Sequence, residues 1–195
     1  MKFASAVPLA LVAILAGCSQ KTQTPVQAPP PGPVAAASIQ EIMKAVVEPA
    51  SNGVWKPPAS ITDPKSKATA AQKDADWLAV KHAAVVLSES ANLLVVPGRK
   101  TVAAGGKIQD EGQTGNLPSA EIQKLIESDP AAFAKYAKAL QDATLETMAA
   151  IDAKNADALT EKGGEIDEAC EQCHLKYWYP PAASGAAPGA IPAAK

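Results

Sequence analysis

Four stretches of this chain repeat apolar residues at intervals of three and four, and none alternates at intervals of two. That period is one face of a helix, so the chain is restricted to packing helix on helix. In the first stretch Ile39, Ile42, Met43, Val46 and Val47 share a face. Ser38 precedes them with Glu41 three residues on, the pattern of a capping box. Pro49 is expected to kink this helix and Pro57-Pro58 to end it. The second stretch runs from Thr69 to Val96 through Trp77, Val80, Ala84, Leu87, Ala91 and Leu94, and stops at Pro97-Gly98. Residues 99–117 are glycine-rich and short of large apolar side chains, which predicts a long loop. A short helix is expected from Ser119 to about Glu127. Asp129-Pro130 then reads as an N-cap with proline at the first helical position. The stripe it opens is Phe133, Tyr136, Ala137, Leu140, Thr144, Met148 and Ile151. Asn155 caps the last helix, which carries Leu159, Ile166, Ala169 and Cys170 towards Tyr177, with Gly163-Gly164 expected to mark close packing. The fold class expected is all-α: an antiparallel up-down-up-down four-helix bundle.

The ends of the chain do not belong to that bundle. Lys2 and the apolar run Val7 to Ala16 read as an export signal, too short to span a bilayer as a helix. It closes on Leu15-Ala16-Gly17-Cys18, which resembles a bacterial lipobox. Residues 1–17 are therefore expected to be removed and Cys18 to be acylated. Ser19 follows in place of the aspartate of inner-membrane retention, which leans the anchor towards the outer membrane. Residues 18–37, rich in Pro, Gln, Thr and Ala, read as a tether, and residues 180–195 as a tail of similar kind. About 140 residues remain between them, enough for one core. The formal charge of -2 and the lack of a basic patch argue against nucleic acid as a partner.

The chain has three cysteines and two histidines, and "EACEQCHLKY" holds two of the former and one of the latter. On a helix Cys170 and Cys173 are three apart, and Cys170 and His174 four apart, so all can face one object. C-x-x-C-H is the pattern of c-type haem attachment, in which two thiols bind the vinyl groups and the imidazole reaches the iron. A thioredoxin-like dithiol needs a βαβ setting, and zinc needs more ligands than His82 can add. A local disulfide leaves His174 without a role. The cofactor expected is one covalent haem c, on Cys170 and Cys173, with His174 as proximal ligand and the haem near the C-terminal end of the last helix.

At this helix the chain resembles the class II cytochromes c, the cytochrome c′ and c-556 family. The resemblance rests on "GGEIDEACEQCHLKY", with Gly164 six residues before the first cysteine and Tyr177 three after the histidine. It spans about Ile39 to Tyr179, and departs from the family at Trp178, where a basic residue is common. Alternating helix ends place Met43 at the haem end of the bundle. Met148 would lie on the order of 20 Å away, at 1.5 Å rise per residue, and reads as core, as His82 reads as remote. "EIMK" also resembles the stretch that bears the methionine ligand in c-556-type members, so Met43 is the candidate sixth ligand; in c′ members that face of the iron is open. Val46, Val47, Leu94, Phe133, Tyr136, Ala137, Leu140 and Tyr177 are expected around the porphyrin.

The function expected is one-electron transfer by a lipid-anchored carrier on the extracytoplasmic side of a bacterial membrane, not enzymatic turnover. Redox proteins would be its partners, and the resemblance implies pairing of two copies through the first two helices. Binding of small gases at an open iron is the alternative, and a structural lipoprotein with an incidental motif the third reading.

Overall fold

The computed structural model describes residues 32–181. The expected export signal at 1–17, the expected acylation site Cys18, most of the expected tether and nearly all of the expected tail fall outside those residues. Among the described residues there is no strand. The helices are α1 (Ile39–Ile42), α2 (Glu48–Trp55), α3 (Ala59–Thr62), α4 (Ala70–Leu94), α5 (Ser119–Ser128), α6 (Pro130–Asp152) and α7 (Ala156–Tyr177). A π-helical segment, Met43–Val47, joins α1 to α2 without a break. The first long helix is thus α1, the π segment and α2 in series. It packs on α4, α4 on α6, and α6 on α7, in up-down-up-down order.

Local chemistry sets the helix ends. The Ser38 backbone N–H donates to Glu41 Oε2 at 2.8 Å, and the Glu41 N–H donates to Ser38 Oγ at 3.2 Å, a complete capping box. The Gln72 N–H donates to Thr69, the Ala132 N–H to Asp129 and the Ala158 N–H to Asn155, so each long helix starts on a side-chain acceptor. Gly98 follows α4 with φ of 78°, a left-handed value that side chains with a Cβ rarely adopt.

Pro49 does more than bend the helix. It has no N–H to return to the preceding turn. The Glu48 N–H reaches Met43 O, five residues back, and the ladder widens over Met43–Val47. Beyond Pro49 the helix is regular again and ends at Trp55.

The core runs the length of the bundle: Val54, Val80, Ala84, Leu87, Ile151, Leu159 and Ile166 are almost wholly buried. The α2–α4 crossing is the tightest point. A Cβ added to Gly53 would sit 2.6 Å from Ala83 Cβ, closer than two methyl carbons can approach. About two turns into α7, Trp55 Nε1 donates to Gly163 O at 2.9 Å, and the indole covers that glycine. The expected glycine-mediated packing is therefore at Gly163, while Gly164 faces open space.

Loop 99–117 is tied down by its first residues. Arg99 is buried; its guanidinium donates to Leu93 O at 2.6 Å and also to Ala37 O. The Ile39 N–H donates to Lys100 O at 2.8 Å and the Gln40 N–H to Thr101 O at 3.0 Å. These are N–H groups that a first helical turn leaves without an internal partner. Thr101 in turn donates from its N–H and its hydroxyl to Gln123 Oε1 on α5. Replacing Gly53 by valine is expected to lower stability by about 1–3 kcal/mol, read from the urea midpoint, because α2 and α4 must part to admit the side chain.

Candidate haem site

One end of the bundle holds a cavity of about 510 Å³, within the range of small-molecule and cofactor sites. Its walls are mostly apolar. The first helix brings Ile39, Met43 and Val47; α5 brings Ile122 and Ile126; α6 brings Phe133. The end of α7 brings Cys170, His174, Tyr177 and Trp178, and loop 99–117 closes one side with Thr101, Ile108 and Gln109. The polar rim carries Lys44 against Glu48, Asp167 and Glu171.

The helical register of α7 is what aligns this chemistry. Cys170 and His174 stand one turn apart and both line the cavity. Cys173 is half-buried and packs against the apolar core beside them. Neither cysteine is in a disulfide. Burial pushes the Cys170 thiol up from its ordinary 9.0 to about 11, with Asp167 and Glu171 adding to the effect. Burial likewise raises Cys173 to about 12. Both stay protonated at neutral pH, the opposite of a reactive dithiol, whose thiolate is stabilised. Burial lowers the pKa of His174, so its imidazole is neutral and has a lone pair to give to a metal. Among the described residues, no three His, Cys, Asp or Glu are grouped to hold a metal ion alone.

Aromatic rings pack the end of α7 into place. Tyr177 meets Phe133 edge-on at 5.3 Å and Tyr136 at 5.7 Å, and burial raises its phenol to about 12. The His174 ring meets Trp178 edge-on at 5.2 Å and Tyr179 at 5.9 Å. The Tyr179 hydroxyl donates to Glu171 at 2.8 Å, and burial, then this bond, raises its pKa. The Leu117 N–H donates to Trp178 O at 2.8 Å, fastening the end of the long loop to the end of α7.

The structure therefore brings Met43, Val47, Phe133, Cys170, His174 and Tyr177 to one cavity. Tyr136 stands behind Tyr177. Val46, Leu94, Ala137 and Leu140 lie elsewhere: Val46 is half-buried against the core, and the other three are buried between helices, off the cavity wall. Met148 is a core residue and His82 is exposed. Sequence reasoning missed Ile122 and Ile126, though their spacing of four marks an apolar face on α5. It also missed Thr101, Ile108 and Gln109, since nothing in a glycine-rich loop announces a wall.

The donor set suits a covalently attached porphyrin. Two thiols one turn apart could attach it, the neutral imidazole could give its lone pair to the iron, and the Met43 thioether lies on the same cavity. Apolar walls suit a flat hydrophobic ring. Trp178 Nε1, which is shut off from solvent and has no hydrogen-bond partner in the protein, leaves a donor for a polar substituent.

No protein-family model matches this chain, nor does any curated protein. Among solved structures it is similar to a nitric oxide complex of a mutant cytochrome c prime from Alcaligenes xylosoxidans, with 20% sequence identity and a TM-score of 0.45 over 71% of this chain and 92% of that one.

The raised thiol values predict a measurable inertness. In the unmodified polypeptide at pH 8, Cys170 should hold about a hundredfold less thiolate than a free cysteine, and iodoacetamide labelling should slow to match. The fold favours the thiol form, so the stabilisation is fully present below pH 9.0 and is lost as pH rises through about 11 to 12. Labelling should accelerate over the same interval, and in urea at pH 8 it should reach the free-thiol rate.

Proposed function

We propose that this chain is a lipid-anchored monohaem c-type cytochrome carrying single electrons at the extracytoplasmic surface of a bacterial membrane. The observation that carries this reading is the meeting of Cys170, His174 and Met43 on one apolar cavity, with Cys173 beside it. A haem bound there supplies an iron that takes up or gives back one electron.

The protein's own groups have separable tasks. Cys170 and Cys173 would hold the group by thioether links, so that it could not leave when the iron changes charge. His174 would give its lone pair to the iron, and the rings of Trp178 and Tyr179 fix the plane of its imidazole. Met43 would offer a thioether, a ligand that favours the reduced state and raises the potential. Ile39, Val47, Ile122 and Phe133 exclude water from the cavity.

Acylation of Cys18 would attach the protein to the membrane, leaning to the outer one after Ser19, and residues 18–37 would let the bundle reach redox partners. Among the described residues no helix is long and apolar enough to cross a membrane. No turnover of a substrate is assigned. A homodimer is a further expectation of this reading.

The apolar wall around Met43 favours one second reading. With the thioether swung away from the iron, Ile39, Val47, Ile122 and Phe133 would surround an open face that admits small neutral gases and repels anions. Optical spectra separate the two. The carrier is expected to show sharp low-spin α and β bands when reduced, and Met43→Ala is expected to lose them. A high-spin ferrous spectrum in the native protein, shifting at once with carbon monoxide, would establish the gas binder. A mature protein that fails a haem stain on a denaturing gel, from a host that makes c-type haem, would overturn both.

A further inference from the structure

Trp178 stands out from the other tryptophans. Trp55 Nε1 has its acceptor in Gly163 O. Trp178 Nε1 is buried and has none. An indole N–H can only donate, and a buried donor left unpaired costs about 1–3 kcal/mol. The bonds around it go elsewhere: Glu171 accepts from the Tyr179 hydroxyl, the His174 carbonyl accepts from the backbone N–H groups of Trp178 and Tyr179, and the Trp178 carbonyl accepts from Leu117. Its ring is held on both sides, edge-on to His174 at 5.2 Å and against Tyr179 at 5.1 Å. The Leu117 bond fixes its backbone. Turning its nitrogen out to water would cost the edge contact with the imidazole of the iron-ligand candidate. Trp178 also lines the cavity.

We propose that Trp178 is a positioning residue for the bound group, and that its indole N–H donates to a carboxylate oxygen of that group. This rests on the haem reading, in which the acceptor is a propionate, the anionic substituent a haem carries. Glu48, Asp167 and Glu171 put negative charge on the rim, and among the described residues of the lining Lys44, on the first helix, is the one Lys or Arg. A hydrogen bond donated by the indole N–H would offset part of the cost of bringing a carboxylate there, and would hold the group against rotation about its thioether attachment. It would hold His174 as well, since the same indole meets the imidazole.

The test is resonance Raman spectroscopy of the holoprotein, in which the propionate bending mode reports hydrogen bonding directly. Trp178→Phe keeps an aromatic ring against His174 and removes the N–H; Trp178→His keeps a ring N–H. The expected result is full haem incorporation in each, loss of the hydrogen-bonded propionate frequency in the phenylalanine variant, and its recovery in the histidine variant. Wild-type protein moved into D2O should show the propionate shift develop over the slow exchange time of a buried N–H, a measurement that decides the matter should a variant fail to mature. An unchanged propionate mode in haem-loaded Trp178→Phe, or a wild-type shift complete at once in D2O, would overturn the proposal and leave the haem reading intact. Wild-type protein that carries no haem would overturn both.

Discussion

Two backbone hydrogen bonds, from Ile39 to Lys100 and from Gln40 to Thr101, set where the first helix begins relative to the rest of the bundle. A first helical turn must find partners for its free N–H groups, and here the partners are carbonyls of the loop that follows α4. Arg99 reinforces the arrangement from below, bridging the chain before α1 and the end of α4. The loop therefore cannot drift, and Thr101, Ile108 and Gln109 become part of a wall. With α1 held by the loop and α7 held by α6, the space between them persists as a cavity instead of closing. At the inner limit of that cavity, which Trp55 also lines, the same two helices are drawn together, where Trp55 lies on Gly163. The first and last helices thus meet beside Gly163 and part beyond it.

Much of this was legible from residue order, because helix ends are local events. Ser38 with Glu41, Thr69, Asp129 with Pro130, and Asn155 each placed a helix start within a residue of where the backbone begins to coil. The bundle topology followed from helix number and connection length. The short α3 and the π segment were not legible. A four-residue helix has too few positions to display a period, and an i to i+5 bond leaves no periodic trace. Only Pro49, which lacks a donor, hinted that the ladder nearby had to change.

The site was legible in its chemistry and less so in its walls. Cys170, Cys173 and His174 declare themselves by spacing, and end-matching was enough to put Met43 and Phe133 on the cavity. The same logic carried Ala137 and Leu140 too far: they lie one and two turns beyond Phe133 along α6, where the helices already touch. Leu94, in the last turn of α4, is also buried off the cavity. A helical stripe tells which side of a helix is covered but not by what. The identity of the neighbour depends on the angle between helices and on loops, both of which are set by contacts remote in sequence.

The wide turn at Met43–Val47 has a consequence for how this chain tolerates change in length. Such a turn accommodates one residue more than an ordinary coil in the same rise. Deleting a single residue within it would restore the regular ladder and leave the helix on either side in register, because the wide turn absorbs the extra residue without rotating its flanks. In an ordinary turn the same deletion would rotate everything on its N-terminal side by about 100° about the axis and part Ile39 from Lys100. The segment is thus a place where the chain can lose a residue and the bundle mouth stays as it is.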